Sequence, residues 1–388
     1  MRILHRYVFM EMLKALALAV AAVSGLVCFA MVLKALQEHG LGPVTSILYM
    51  GLSLPGAIYI SLPLAGVLAA TLVYGRLASD SEIQACRASG IPESSLLWPA
   101  VLMAILTSGL VFALGAWPVP ESKYAAKRLA LADVEQLFFS QLSNGKISIK
   151  DANFEMTADR VVGNMVYGPT IKHRSPTGQT YCYAPYGEIA FVNETNEVTF
   201  ALTGAAVMDE GHPIQLRGEH RFAIALPRAV PRSEDDLNLW WLMAVQHRPE
   251  LSDRVASLRE KNSPEASIQA VKESVRATAT GEFHSRLATA LGCFGLVLVG
   301  ATLGIFFSSG HLLTAFGVAL PPGLGATILT MAFNRTVARF AEGADRLAWL
   351  IWAPNVAVVV LALLLIAWLI WVWASPIRLG ERFVGRRA

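Results

Sequence analysis

The sequence predicts an integral inner-membrane protein with six transmembrane α-helices and one large extracytoplasmic insertion between the third and the fourth. Three observations carry that prediction. The 388 residues are 54% hydrophobic and only 16% charged, with a mean hydropathy of +0.47. Soluble proteins carry about 25% charged residues, so lipid is part of this chain's solvent. Six long runs contain no Asp, Glu, Lys, Arg or His, and the longest polar block, 121–281, separates the third from the fourth.

A bilayer core about 30 Å thick needs roughly 20 apolar helical residues. The six runs, 15–33, 51–75, 94–120, 287–310, 312–334 and 347–376, all meet that length. Only His311 separates the fourth from the fifth. Pro321 and Pro322 in the fifth predict a kink or local unwinding, which membrane helices accept when neighbours satisfy the freed carbonyls. The first run is too long for a cleavable signal and no small-x-small site follows it, so it reads as a permanent anchor.

Orientation follows from Lys and Arg near the span ends. Arg2, Arg6 and Lys14 flank the first span, Arg76 and Arg87 lie between the second and third, and Arg378, Arg382, Arg386 and Arg387 close the chain. An even number of spans places both termini on one side, expected to be cytoplasmic. Lys34, Arg335, Arg339 and Arg346 on the other side narrow that margin without reversing it. Trp349, Trp352, Trp368, Trp371 and Trp373 fall toward the two ends of the sixth span, as interface anchors do.

The insertion reads as short strands over 146–226. Ile147 to Lys150 alternates, and 188–192 meets 198–202 across Asn193 to Asn196, a hairpin signal. Further turn signals recur at 163–164, 175–178 and 209–211. Many short strands with regular turns predict a sandwich or jelly roll. From Asp235 to about Arg276 the pattern turns helical, with Ser233 and Asp236 spaced as a capping box and Pro264 breaking a polar stretch, 252–276.

The segment between spans two and three is the most legible motif. Ser79 and Glu82 have capping-box spacing, Asp80 and Glu82 suit a first turn, Gly90 suits the C′ position and Pro92 forbids continuation. A helix of about ten residues is expected over 79–90. One reading is a connector lying on the protein's own surface; the other is a docking helix for a cytoplasmic partner. So short a helix is marginal alone, and a fully capped one is more than loop closure requires.

Here the sequence resembles the lipopolysaccharide export permease family of the LptF/LptG type. The residues are 81–90, SEIQACRASG, followed by Ser94, Ser95 and Pro99. A second match is Glu282-Phe283-His284-Ser285-Arg286, where the family shows Glu-x-His-x-Arg. A third is the Tyr-containing basic pattern of 3–9 leading into span one. The layout matches over essentially the whole chain. The family often has a proline within span four, where this chain reads LATALG over 287–292.

The resemblance implies six transmembrane α-helices with a periplasmic β-jelly-roll domain inserted between helices 3 and 4. Its divisions would be 1–120 (spans 1–3, with a coupling helix at 79–90), 121–281, 282–376 (spans 4–6) and a tail, 377–388. It implies the permease subunit of an ABC exporter that extracts lipopolysaccharide or a similar anionic glycolipid. Its partners would be a cytoplasmic ABC ATPase dimer, a homologous or identical permease subunit, and a periplasmic bridge protein of the β-jelly-roll type. Glu82, Ile83, Arg87 and Gly90 would then serve ATPase docking. Lys34, Lys123, Lys127 and Arg128, at the outer ends of spans one and three, would bind lipid phosphates, the competing reading being ordinary snorkelling anchors.

Other chemistry is excluded or unsupported. No G-x-x-x-x-G-K-[ST] loop occurs, so the chain is not expected to hydrolyse ATP. No Lys/Arg run suits nucleic acid, and the scattered His and the cysteines Cys28, Cys86, Cys182 and Cys293 predict no metal, cofactor or disulfide. The absence of an ionisable residue inside any span argues against a proton-coupled carrier. A membrane module transmitting force from an ATPase to a periplasmic protein partner is the alternative reading, and a scaffold without nucleotide coupling a third.

Overall fold

The computed structural model describes residues 2–39, 43–91, 93–129, 147–151, 154–162, 165–175, 178–192, 197–209, 212–215, 219–225, 232–260, 264–307, 312–340 and 344–374. They group into two compact units: Met1–Leu33, Met50–Ala126 and Pro231–Ala388 form the first, Lys34–Tyr49 and Lys127–Val230 the second.

The first unit is helical. Its long elements are α1 (Arg2–His39) up to Leu33, α2 (Pro43–Ser79) from Met50, α4 (Glu93–Ala116), α8 (Glu265–Phe306), α9 (Leu312–Arg339) and α10 (Ala344–Ala374). Five of these, all but α9, are long and apolar enough to cross a membrane among the described residues. The shorter helices are α3 (Glu82–Ala88), α5 (118–129), α6 (Leu239–His247) and α7 (Asp253–Glu260). α9, expected as the fifth span, is a continuous 28-residue helix that keeps Pro321 and Pro322 inside it.

Helix α8 is the axis of the bundle, packing on α4, α9 and α10 and on α2 through glycine. Apolar burial cannot drive association between helices already in lipid, so close backbone approach does the work. A Cβ added at Gly300 would lie 2.7 Å from the Val67 carbonyl oxygen, and one at Gly304 2.8 Å from that of Thr71. Gly66 on α2 reciprocates by admitting the Val297 side chain. On the opposite side of α8, Gly292 and Gly295 admit Asn355 and Val359 of α10. Asn355 is buried and donates to Thr330 Oγ1 of α9 at 2.8 Å. An amide in a bundle interior needs such a partner, since lipid offers none.

The polar stretch 252–276 contains two helices, α7 and the first part of α8, with Pro264 at the N-cap of α8. α8 begins at Glu265, after Pro264, and runs 42 residues through the apolar run. α6 and α7 pack beside its first half around Leu242, Val245, Val255, Val275 and Ala279. Glu250 joins Lys272 of α8 at 2.8 Å and Arg259 of α7 at 3.3 Å, and Lys272 holds its carboxyl below the usual range. The expected capping box at Ser233 does not form. The Ser233 hydroxyl donates to the carboxylates of Asp235 and Asp236 instead of accepting from a backbone N–H, and only one 3-10 turn, Glu234–Asp236, follows.

Among the described residues, the second unit contains eleven strands in two sheets. Strands β1 (Ile147–Asp151), β2 (Phe154–Ala158), β5 (Thr170–Ser175), β6 (Gly178–Tyr183), β9 (Ala206–Asp209) and β10 (His212–Gln215) make one, in the order β1-β2-β5-β6-β9-β10. Strands β3 (Arg160–Val162), β4 (Met165–Tyr167), β7 (Tyr186–Val192), β8 (Glu197–Thr203) and β11 (Glu219–Ala225) make the other, in the order β11-β8-β7-β4-β3. All pairs are antiparallel. The chain changes sheet after every two strands, so each sheet is a row of hairpins. β7 pairs with β8 with Ile189 opposite Phe200, although the turn at 193–196 lies outside the described residues. So do the turns at 163–164 and 210–211, His311, Pro92 and the basic tail. Gly187 sits under Leu202, where a Cβ would come within 2.7 Å of Leu202 Cδ2. Cys182, like Cys28 and Cys293, is a buried free thiol, and Cys86 is half-buried.

Candidate functional site

One end of the helical unit carries α3. The sequence places the start of this helix at Ser79, but Ser79 ends α2, its hydroxyl donating to the Arg76 carbonyl. The N-cap is Ser81, in the left-handed region at φ 60° and without a side-chain cap bond. The physical reason is that the apolar run of α2 continues its helical bonds to Ala78 and Ser79, so the reversal is compressed into Asp80 and Ser81. α3 is therefore seven residues long rather than about ten.

Its C-terminus follows the sequence closely. Gly90 has φ +75°, its N–H donates to the Arg87 carbonyl, and the Ile91 N–H donates to the Cys86 carbonyl. These are the paired 5→2 and 6→1 bonds of a Schellman motif, which a C′ glycine permits. Ile83, 5% exposed, anchors the helix in the bundle core among Val8, Leu77 and Leu96, with Cys86 and Ile91 beside it. Of the four expected docking residues, Ile83 thus faces inward and holds α3 in place. Glu82 is half-buried, while Arg87 and Gly90 lie on the exposed surface with Gln84, Ala85 and Ser89.

The surroundings of α3 are pinned by bonds that the sequence does not advertise. Tyr74 is fully buried and its hydroxyl donates to the Leu96 carbonyl at 2.7 Å. His5 Nε2 lies 2.8 Å from Ser95 Oγ, and Arg76 pairs with Glu11 at 3.0 Å. Helices α1, α2 and α4 are thereby tied together around the small helix.

At the other end, the Glu282-x-His284-x-Arg286 motif becomes a node. Arg286 is 7% exposed and donates from Nη1 to the Leu237 carbonyl at 2.7 Å and from Nη2 to that of Asp235 at 3.0 Å. Its Nε lies 3.6 Å from Glu282, which also accepts from Asn334 of α9 at 2.8 Å. His284 Nδ1 accepts from Trp352 Nε1 of α10 at 3.2 Å. Three side chains within five residues of α8 therefore fix the 235–237 segment, α9 and α10.

The expected lipid-phosphate residues are placed as follows. Lys34 is an exposed residue of α1. Lys123 is exposed, Lys127 half-buried and Arg128 exposed, all on α5, so Lys123 and Lys127 are indeed one turn apart on a continued helix. α5 is tied at its start by Glu121, which accepts from Arg232 at 3.0 Å, and the Arg232 guanidinium stacks 4.4 Å over Tyr124.

Sequence reasoning missed the glycine contacts of α8 and the Asn355 bond. The signals were present, in the Gly300-x-x-x-Gly304 spacing and a lone amide in the sixth run.

The chain matches no curated protein. The profile of the lipopolysaccharide export system permease LptF/LptG matches residues 6–370, from the start of α1 nearly to the end of α10. With that match across both units, the chain belongs to the LptF/LptG family of lipopolysaccharide export permeases and is a multi-pass membrane protein, a transporter subunit rather than an enzyme.

Proposed function

We propose that this permease is driven by a separate cytoplasmic ABC ATPase dimer that grips α3. The carrying observation is that α3 is built to keep its shape. One side is anchored by Ile83, the far end is closed by the Schellman bonds at Gly90, and the opposite side is left exposed. In this reading α3 and both termini face the cytoplasm of a bacterial inner membrane, α9 completes six spans, and the strand unit is a periplasmic jelly roll. A homologous or identical permease subunit pairs with it, and lipopolysaccharide passes to a periplasmic bridge protein of similar β architecture.

Gly90→Pro removes the N–H that closes α3 and forces φ near about −65°. Arg87→Glu reverses a charge on the exposed side. Each is expected to lower ATPase copurification from native membranes by about tenfold while membrane insertion is retained. Normal copurification with both variants refutes docking through α3.

Lys34, Lys123, Lys127 and Arg128 are proposed to hold lipid phosphates. Lys34→Glu exchanges attraction for repulsion, so photocrosslinking of glycolipid at this position should fall about tenfold. Undiminished crosslinking and export would remove Lys34 from the site.

A further inference from the structure

α6 leaves an unusual side uncovered. Leu242 and Val245 bury against α8, and the outward stripe at i, i+3, i+4, i+7 is Trp240, Met243, Ala244 and His247. Trp240 is 79% exposed, Trp241 49% and Met243 41%. The stripe is apolar at the beginning of the helix and polar at its end, so its amphipathicity runs along the axis as well as around it.

The depth of this helix can be read from α8. Arg286 is the last charged residue before the apolar run of α8, and it holds the carbonyls of Asp235 and Leu237, immediately before α6. The other end of α6, at His247, lines a hollow with Lys272 and Arg276 of α8. α6 therefore starts at the boundary of the apolar run and climbs away from it, antiparallel to α8. At 1.5 Å per residue, Trp240 and Trp241 stand about 5 Å above Leu237 and His247 about 15 Å above it. The headgroup layer on each side of a bilayer is about 5–8 Å thick. The tryptophans fall within that layer, and His247 and Arg248 beyond it.

Other aromatics mark the same level. Trp117, at the end of α4, is 68% exposed, and Trp349, in the first turns of α10, is 64% exposed. Trp352, one turn further along α10, reaches His284 beside Arg286.

We propose that the Trp240–Trp241 edge of α6 is seated in the lipid headgroup layer, anchoring α6 and the first half of α8 at a fixed depth. The indole rings suit this position because each has a flat apolar body and one N–H donor, which the headgroup region satisfies and neither bulk phase does. The inference needs only that the chain spans a membrane, and is independent of ATPase docking.

The test is tryptophan quenching of the full chain in phosphatidylcholine nanodiscs, comparing wild type with W240F/W241F. The difference signal belongs to these two residues. It should fall about twofold or more when the lipid is brominated near the headgroup, less when brominated near the chain terminus, and little with aqueous iodide. A difference signal quenched by iodide and untouched by brominated lipid overturns the proposal. So does one insensitive to both, which would mean that protein covers the edge. If the double variant does not fold, W240F alone gives the same comparison, because Trp240 makes the lesser contribution to packing.

Discussion

Gly304→Val should markedly lower the thermal stability of the helical unit. The Cβ of any larger residue would lie 2.8 Å from the Thr71 carbonyl oxygen, 3.0 Å from the Gly75 nitrogen and 3.1 Å from Tyr74 Cβ. Two of these are backbone atoms of α2, so no rotamer change relieves the clash; α2 and α8 must separate. Separation pulls Tyr74 from its bond to the Leu96 carbonyl and withdraws Val297 from the notch at Gly66. Overpacking costs about 1–3 kcal/mol, and this backbone clash belongs at the upper end of that range, a large share of the stability of a domain. In detergent, the variant should lose its monodisperse elution peak at temperatures the wild type survives. Gly317→Val on α9 is the control, since a Cβ there meets nothing within 4 Å. Equal thermal stability of the two variants would refute the close-packing account.

Arg286→Ala should loosen the 235–237 segment without disturbing the spans. The wild-type guanidinium satisfies two backbone carbonyls and faces Glu282. Its loss leaves both carbonyls without that donor and a largely buried carboxylate supported by Asn334. Removing one partner of a buried pair costs about 3–5 kcal/mol. Because the bonds are local, the loss should appear there. Amide exchange at Asp236 and Leu237, which donate to the Ser233 and Glu234 carbonyls, should accelerate on the order of 100-fold, while that of 296–303 stays unchanged. Arg286→Lys should restore only part of the protection, because a single ammonium cannot span two carbonyls with the fixed fork of arginine. Unchanged exchange at 236–237 in the alanine variant would deny Arg286 this role.

The sequence reading succeeded where one physical effect dominates. Long uncharged runs must be in lipid, and five described helices coincide with them. Gly90 followed by Pro92 stops a helix, and α3 ends there. The pairing of β7 with β8 follows from alternation on either side of a turn signal. It failed where two local signals compete. Ser79 has the spacing of an N-cap, yet the preceding apolar helix propagates through it. Ser233 has the same spacing, but Asp235 and Asp236 take its hydroxyl before any backbone N–H can donate to it.

Long-range geometry was beyond periodicity altogether. Nothing in Glu282-Phe283-His284-Ser285-Arg286 announces that its arginine binds carbonyls 49 and 51 residues away. The candidate docking residues were legible as a segment but not as a surface. Only the burial of Ile83 separates the residue that holds the helix from those that another molecule could touch.

Span four of this chain has no proline, and α8 passes from the polar segment through the apolar run as one uninterrupted helix of 42 residues. Its length is roughly 63 Å, about twice the thickness of the hydrocarbon core. Such a rod is a lever. A tilt of about 5° at one end sweeps the other through roughly 5 Å, the pitch of one helical turn. The helix is gripped at both stations, by α2 at Gly300 and Gly304 and by the Arg286 node farther along. A small rotation of α2 would therefore reach residues far outside the bilayer as a displacement large enough to change which side chains meet.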